Sequence, residues 1–391
     1  MPSLIPQIGS PGLKSRMILF SASAAFSLVL VEALGQLSYR ALKGHWLIDS
    51  KHTFYVNCVI PVPDSRQYTL RPGYSDRSMA INALGFRGPI PSPGGDRRLL
   101  GILGDSVPFG ADVADEQAYP AVLSRRLDPA GSCWTVLNAG VPSYNLAQSF
   151  ERLRAEVLTK FKPDLVVIQA FNDIALLAYY KDQWTPRLTW ADMRWKPLWR
   201  LRHIEPILKA LRDNSSFFYY LSEFARKSHA GRVDDVSDYD FRSEELIEHV
   251  DALLADQTAS LHSMGIPVVL VANNPFYYQT AHRDKNPRLP LWGRYDKSHF
   301  ATGRILERFN DALKRAALRH PVVFYFDPRP VMDRLDRSRL FLDFVHLSPE
   351  GNEVMADALQ RYLLENGLIP KDCRNRTAVQ PPRRETPGRL S

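Results

Sequence analysis

The chain has 391 residues, of which 45% are apolar and 24% charged, a composition that excludes a wholly disordered, collagen-like or coiled-coil protein. A chain of this length allows two or three domains, or one large domain with an insertion. The formal net charge of +8 would suit a nucleic-acid partner if it lay in one folded region. Residues 1–50 carry +2 and residues 371–391 carry +4, which leaves only +2 for the body. Nucleic acid is therefore not expected as a partner.

Residues 1–45 predict a membrane-targeting segment. Met17–Val31 is an uncharged run rich in Leu, Val, Phe, Ala and Ser that follows two basic residues, the layout of a secretory signal or a signal anchor. The run is shorter than the roughly 18 residues that a membrane span needs. A small-residue cleavage pattern, Ala33-Leu34-Gly35, follows it. We expect an uncleaved anchor, with a cleaved signal or a buried core helix as the alternatives.

Composition also marks the regions that flank the main domain. Residues 46–98 are rich in Pro and Gly and predict an extended lead-in that packs on a domain, whereas residues 371–391 nearly lack apolar side chains and predict a disordered basic tail. The three cysteines, Cys58, Cys133 and Cys373, lack the paired spacing of a zinc site, so no metal is expected. Both a Cys58–Cys133 disulfide and buried free thiols remain open.

From Leu99 onward the pattern predicts an α/β domain. Short apolar runs alternate with longer helical patterns, which is typical of a parallel sheet with crossover helices. The predicted strands are Leu99–Leu103, Trp134–Leu137, Leu165–Gln169, Pro267–Val271 and Val322–Phe326. The predicted helices are Tyr119–Leu127, Leu146–Leu158, Ser243–Met264, Gly303–Arg319 and Pro349–Glu365. The domain spans residues 99–370, with an insertion at about residues 178–241 where the alternation breaks.

The insertion concentrates aromatic and basic residues. Four of the seven tryptophans lie in it: Trp184, Trp190, Trp195 and Trp199. Aromatic rings among arginines suit carbohydrate stacking, an interfacial helix or a lid. A satellite core, with the tryptophans packed inward under arginine stems, explains them equally well. We take the four tryptophans as candidate substrate-binding residues.

A serine follows the first predicted strand of the domain, in the tripeptide Gly104-Asp105-Ser106. A side chain at the carboxyl end of a central parallel strand projects into the crevice where open sheets bind ligands. The tripeptide alone is a weak signal, because short motifs recur by chance. A serine nucleophile also needs a base within hydrogen-bond reach and a third group that orients the base.

A candidate base and its orienting group lie near the end of the domain. Asp343 and His346 follow the last predicted strand, directly before a helix whose start is marked by Ser348 and Pro349. A carboxylate three residues from a histidine on one loop can hold the imidazole tautomer that offers a free nitrogen to a serine. The sequence thus predicts a triad of Ser106, His346 and Asp343.

Acyl transfer also needs hydrogen-bond donors aimed at the developing oxyanion. Gly140 follows the second predicted strand and can offer an unobstructed backbone amide, and Asn172 follows the third and can offer its side-chain amide. The amide of Ser106 faces the same crevice. Each turn alone is ordinary, since Gly and Asn are common turn residues. Their order at successive strand ends points to an oxyanion site made of Ser106, Gly140 and Asn172.

Four short motifs, or blocks, thus follow one another along the chain, around Ser106, Gly140, Asn172 and His346. With these blocks in this order, the chain resembles the SGNH hydrolases, the superfamily of GDSL esterases and lipases. The resemblance covers about residues 99–364 and implies a flavodoxin-like three-layer fold with strand order 2-1-3-4-5. It assigns Ser106 as nucleophile, His346 as general base and Asp343 as the orienting carboxylate. The third block, usually Gly-x-Asn-Asp, begins here with Ala170, while Asn172 is kept.

The lead-in motif at Asn82–Gly88, taken with the four blocks, resembles in particular the membrane-tethered bacterial members of the superfamily. We therefore expect a membrane-anchored serine esterase with an extracytoplasmic catalytic domain, or a secreted one if the signal is cleaved. Its expected reaction is removal of a small acyl group, such as acetyl, from a cell-envelope carbohydrate, without any cofactor. The alternatives are an O-acyltransferase that uses the same residues, and a non-catalytic polysaccharide-binding or assembly protein.

Overall fold

The structure is a computed structural model that describes residues 13–43, 46–47, 58–76, 79–90, 97–128, 133–170, 173, 211, 214–227, 237–274, 297–342 and 345–370. The chain divides into two compact units. One unit combines Met1–Ser50 with Ile204–Ala230, and the other combines Lys51–His203 with Gly231–Ser391. The predicted tail at residues 371–391 lies outside the described residues.

In chain order, the helices of the described residues are α1 (Leu13–Lys43), α2 (Ser106–Phe109), α3 (Tyr119–Leu127), α4 (Leu146–Arg152), α5 (Leu158–Lys160), α6 (Ser216–Lys227), α7 (Ser237–Ser263), α8 (Lys297–Arg319), α9 (Arg329–Met332), α10 (Arg337–Leu340) and α11 (Pro349–Glu365). A π-helical turn at Leu153–Val157 joins α4 to α5. The strands are β1 (Val59–Pro61), β2 (Tyr68–Leu70), β3 (Arg98–Gly104), β4 (Trp134–Gly140), β5 (Leu165–Gln169), β6 (Val268–Val271) and β7 (Val323–Phe326).

A five-stranded parallel sheet forms the centre of the larger unit, with the order β4-β3-β5-β6-β7. Counted along this domain the order is 2-1-3-4-5, so the predicted fold class is confirmed. Every residue of β5 and β6 is buried, as expected for parallel strands covered by helices on both faces. The first two strands run further than predicted, because the parallel ladder continues to the pair Gly104 and Gly140.

The lead-in packs on the same unit. β1 and β2 form an antiparallel hairpin, and the apolar side chains of this region join a buried cluster with Phe109, Val141 and Tyr144 of the sheet domain. The turn that follows is organised by Asn82, whose side-chain oxygen accepts hydrogen bonds from the backbone of Leu84 and Phe86 at 2.9 and 3.2 Å. The lead-in thus packs against Phe109, in the segment that carries the candidate nucleophile.

Two of the cysteines have distinct states. Cys58 is a fully buried thiol outside any disulfide, and burial raises its pKa to about 12. Cys133 is disulfide-bonded. A Cys58–Cys133 disulfide, one of the alternatives from the sequence, is therefore wrong. Cys373, the remaining cysteine, lies outside the described residues.

The smaller unit contains α1 and α6. Among the described residues, α1 is the one helix with the length and hydropathy of a membrane span, over Met17–Ala41, and none of its most apolar window is buried. A signal sequence near the N-terminus has the same properties. The structure thus agrees with an N-terminal apolar helix without choosing between an anchor and a signal.

Candidate active site

Ser106 and His346 meet at the carboxyl edge of the sheet. Ser106 begins α2 directly after β3, and Asp105 caps this short helix by accepting a hydrogen bond from the amide of Val107 at 2.9 Å. His346 Nε2 lies 2.9 Å from Ser106 Oγ. The two residues are 240 positions apart in sequence, so only the fold brings them together.

The histidine is held by the loop between α10 and α11. The backbone carbonyl of His346 accepts a hydrogen bond from the amide of Leu342 at 2.8 Å, which closes the loop. Ser348 then caps α11 by accepting from the amide of Gly351 at 3.0 Å, and its hydroxyl donates to the carbonyl of Arg339 at 2.5 Å. The loop is therefore fixed on both sides of the imidazole, which keeps the ring within reach of Ser106.

The turn before Ser106 requires glycine. Gly104 has a φ of +138°, and a Cβ at this position would lie 1.6 Å from the carbonyl oxygen of Gln169. The amide of the next residue, Asp105, donates to that same carbonyl at 3.2 Å. The close approach of β3 to β5 thus sets the point at which the chain turns and presents Ser106 at the sheet edge.

Gly140 allows α2 to lie directly on the end of β4. A Cβ on Gly140 would lie 2.5 Å from the amide nitrogen of Phe109, a distance that side chains do not tolerate. The amide of Gly140 donates to Asn138 Oδ1 at 3.1 Å. A substrate oxyanion would therefore compete with Asn138 for this donor, a feature that the sequence does not predict.

Six of the predicted site residues lie outside the described residues: Asn172, Asp343 and the four tryptophans Trp184, Trp190, Trp195 and Trp199. The structure thus brings together Ser106, Gly140 and His346 at one edge of the sheet, while the orienting carboxylate, the third oxyanion donor and the tryptophans remain predictions.

Asp173 is a buried acid close to this edge. Its carboxylate accepts a hydrogen bond from the amide of Leu146, at the start of α4, at 2.9 Å. Burial raises the pKa of Asp173 to about 7, and the nearby negative charge of Asp105 acts in the same direction. Near neutral pH, the Asp173 carboxyl group is therefore divided between its protonated and its ionised form.

Arg87 and Asn138 are neighbours of the site that were not among the predicted site residues. Both are buried, and their backbones form an isolated antiparallel bridge that joins the lead-in to β4. Arg87 belongs to the lead-in motif Asn82–Gly88, which was the only sequence signal for its importance. Its contacts with α2 are described below.

Among the described residues, no group of three or more His, Cys, Asp or Glu side chains is arranged to hold a metal ion. Among the described site residues, a serine hydroxyl lies within hydrogen-bond distance of an imidazole, the pairing that nucleophilic catalysis by serine requires.

A parallel α/β sheet with a serine at the end of a central strand, hydrogen-bonded to a histidine before the last helix, defines the architecture of a serine hydrolase. The sequence profile of the GDSL-like lipase/acylhydrolase family matches residues 102–354, which is more than half of the chain. The protein belongs to this family of ester-cleaving SGNH hydrolases, so the resemblance seen in the sequence is confirmed. No curated protein matches the chain.

Several solved structures are similar to the chain at low identity. The acetyl xylan esterase AlAXEase is 14% identical, with a TM-score of 0.38 over 68% of this chain and all of that protein. A catalytic mutant of Axe2, an acetylxylan esterase from Geobacillus stearothermophilus, is 17% identical, with a TM-score of 0.38 over 68% of this chain and 94% of that one. The lipase/acylhydrolase from Enterococcus faecalis is 16% identical, with a TM-score of 0.38 over 68% and 95%. Likenesses this low carry no argument about the substrate.

Proposed function

We propose that the protein is a serine esterase that removes a small acyl group, such as acetyl, from a carbohydrate of the cell envelope. The observation that carries the proposal is the 2.9 Å contact between Ser106 Oγ and His346 Nε2 at the carboxyl edge of the sheet. A serine hydroxyl is a poor nucleophile at neutral pH unless a base accepts its proton, and this contact supplies that base.

The reaction has two steps. Ser106 Oγ attacks the ester carbonyl while its proton passes to His346 Nε2, and collapse of the tetrahedral intermediate expels the alcohol, which takes the proton from His346. Water then attacks the acyl-Ser106 ester and gives its proton to His346, and the acid leaves as the proton returns to Ser106 Oγ. In this proposal Asp343 orients the imidazole and stabilises its charged form.

The oxyanion formed in each step would bind the amides of Ser106 and Gly140 and the side chain of Asn172. In the absence of substrate the Gly140 amide donates to Asn138 Oδ1. When the oxyanion forms, the proposal therefore requires this amide to donate to both oxygens or to leave Asn138 for the oxyanion. Such donors act mainly in the transition state, where negative charge develops on the carbonyl oxygen.

A small, open pocket lies beside the histidine loop. Val107, which follows the nucleophile, and Val345 and Leu347, which flank the base, contribute to a lining that is mostly apolar. An apolar lining favours contact with the acyl group of a substrate over contact with a charged group. The aromatic and basic residues of the insertion and the apolar N-terminal segment support a glycan substrate outside the cytoplasm.

A fluorophosphonate probe tests the assignment of Ser106. The full-length protein in detergent is expected to be labelled, and Ser106→Ala is expected to lose the label because the probe bonds covalently to an activated serine oxygen. Ser260→Ala, which changes an exposed serine on α7, is the matched control and should label like the wild type. Equal labelling of Ser106→Ala and the wild type would overturn the assignment.

Turnover of acetyl esters then separates the related functions. Release of acetate with water as the acceptor supports the esterase. Turnover that starts only when an oligosaccharide is added identifies an O-acyltransferase, and a protein that binds glycan without labelling or turnover is a binding or assembly protein.

A further inference from the structure

Helix α6 of the insertion packs on the N-terminal helix α1. Tyr39 of α1 and Tyr219 of α6 are buried together with Leu47, and their rings meet edge to face with centroids 5.2 Å apart. A Cβ on Gly35 would lie 2.1 Å from Ser216 Oγ, so only glycine at this position lets the two helices approach so closely. The pair forms a tight helix contact within one compact unit.

Glu32 is the polar centre of this contact. Its carboxylate accepts hydrogen bonds from the amide of Ser216 at 2.6 Å, the hydroxyl of Ser215 at 2.7 Å and the amide of Phe217 at 3.3 Å. The two amides belong to the first turn of α6, where backbone amides have no acceptor within the helix. Glu32 therefore caps α6 from another helix. A carboxylate beside an apolar run is costly in a membrane unless it finds such partners.

The opposite face of α6 is apolar and exposed. Phe217, Phe218 and Leu221 have 45%, 36% and 51% of their surface accessible, whereas Ser216 and Tyr219 turn toward α1. In an α-helix residues three or four apart share a face, so Phe217, Phe218 and Leu221 form one stripe.

This stripe begins where the apolar run of α1 ends. The uncharged run Met17–Val31 has 15 residues, which at about 1.5 Å each cover roughly 22 Å of the roughly 30 Å hydrocarbon core of a bilayer, and the apolar span of α1 continues past Glu32 to Ala41. α6 touches α1 from Glu32 to Tyr39, immediately after that run. The exposed side chains of α6 therefore add apolar surface beside the last part of the α1 span, where Glu32, Gln36 and Arg40 interrupt its apolar side chains.

We propose that the stripe of Phe217, Phe218 and Leu221 binds the lipid bilayer at the boundary between headgroups and acyl chains, next to α1. A short amphipathic helix with aromatic side chains suits this depth. The N-terminal segment is then retained in the mature protein, because cleavage at Ala33-Leu34-Gly35 would separate Glu32 from the helix that it caps. The proposal is independent of the esterase assignment.

The depth of Leu221 tests the proposal. The full-length Leu221→Cys protein, labelled with an environment-sensitive fluorophore and reconstituted in phosphatidylcholine vesicles, is expected to show a blue-shifted emission, quenching by lipids with a shallow nitroxide and loss of quenching by aqueous iodide. Glu248→Cys on the exposed face of α7 is the control and should be quenched by iodide. The unsubstituted chain, carried through the same labelling, gives the background of the native cysteines.

A second variant keeps the test decisive. Gly35→Leu should force α6 away from α1, so the Leu221 probe should gain iodide quenching while the protein still floats with the vesicles. If, without the Gly35→Leu change, the probe at position 221 is quenched by iodide as strongly as the probe at position 248, the proposal is overturned. So would protection from iodide without nitroxide quenching, since a protein partner would then cover the stripe.

An independent observation concerns Arg87 of the lead-in. Its guanidinium donates to the carbonyls of Phe109 at 2.8 Å, of Gly110, and of Val113 at 2.7 Å, and pairs with Asp115 at 2.7 Å. The guanidinium also lies 4.8 Å from the centre of the Phe109 ring. One buried side chain thus ties together the end of α2 and the turn that follows it.

The backbone bridge between Arg87 and Asn138 also connects the lead-in to the turn that carries Gly140. Asn138, whose backbone pairs with that of Arg87, donates through Nδ2 to the carbonyl of Phe109 at 3.3 Å and accepts through Oδ1 from the amide of Gly140. The lead-in is therefore hydrogen-bonded to α2, which carries Ser106, and through Asn138 to the turn that carries Gly140. Arg87 lies before residues 102–354, which match the family profile.

We infer that Arg87 is a positioning residue that fixes α2 and Ser106 for attack, an inference that rests on the proposed function. Misplacement of a nucleophile by a fraction of an ångström lowers the rate of the chemical step more than the affinity for substrate. Loss of Arg87 should therefore act on kcat rather than on KM.

Three variants test this role. Arg87→Gln is expected to lower kcat per folded molecule between about 10- and 100-fold with little change in KM, and Arg87→Lys, which keeps the charge, to recover part of that loss. The matched control is Arg152→Gln. Arg152 is equally buried and donates hydrogen bonds to Thr69 and Gly85 of the lead-in, at 2.9 and 2.7 Å, rather than to α2. Its variant should keep kcat per folded molecule even if it is less stable.

Should Arg87→Gln fail to fold, Asp115→Asn removes the partner of Arg87 at nearly constant volume and should lower kcat in the same direction. An unchanged kcat in a folded Arg87→Gln protein, while Ser106→Ala is inactive, would overturn the positioning role alone. An unchanged activity of Ser106→Ala would overturn the proposed function itself, so the two failures are distinguishable.

Discussion

Replacing His346 with alanine is expected to lower kcat/KM for ester hydrolysis about 10⁴-fold, because Ser106 would lose the base that accepts its proton. The imidazole lies 2.9 Å from the hydroxyl and is partly exposed at the sheet edge, so its removal leaves no large cavity in the core. The expected loss is therefore in catalysis rather than in folding. Initial rates on an aryl acetate, with the folded fraction measured by circular dichroism, provide the measurement.

Two further variants make the result specific. His249→Ala changes an exposed histidine on α7 and should keep the wild-type rate. The double variant with Ser106→Ala should lose little more than either single variant, because groups that act as one unit are not additive. A His346→Ala protein that keeps more than about a tenth of the wild-type kcat/KM would contradict the role of this histidine, since a catalytic base contributes at least about 100-fold.

The sheet and the positions of Ser106 and His346 could be predicted because their signals are local. A strand buried on both faces is a short apolar run, and the residue after it must lie at the carboxyl edge of the sheet. Ser106 follows such a strand and His346 lies directly before helix α11, so their signals are local although their contact is not. The order itself came from the family resemblance rather than from the runs.

The contacts around the dyad could not be predicted in this way. Arg87 and Asn138 are buried polar residues, and burial of a polar side chain depends on partners that are distant in sequence. The same holds for the bond from the Gly140 amide to Asn138, because a glycine at a strand end indicates a close approach without naming its partner. Pairing of α1 with α6 is a long-range contact of the same kind.

The buried acid at Asp173 leads to a second large effect, on stability rather than on activity. The folded state raises its pKa from the ordinary value of 3.8 to about 7 and thus binds a proton more tightly than the unfolded chain. Stability contributed by the neutral carboxyl is fully present at low pH and is lost as the pH rises from about 4 to about 7, where the buried group ionises. Above that window the cost stays constant, at a few kcal/mol.

Asp173→Asn should therefore be more stable than the wild type at about pH 8 and no more stable at about pH 4, because the amide cannot ionise and its oxygen still accepts the Leu146 amide. The free energy of unfolding in urea at both pH values gives the measurement, with the slope on urea checked for constancy. Asp164→Asn is the matched control, because Asp164 also accepts a backbone amide, that of Leu99 at 2.8 Å, but is exposed. A difference between Asp173→Asn and the wild type that does not change with pH would mean that the carboxyl stays ionised in the fold, stabilised at the start of α4 more strongly than burial opposes it.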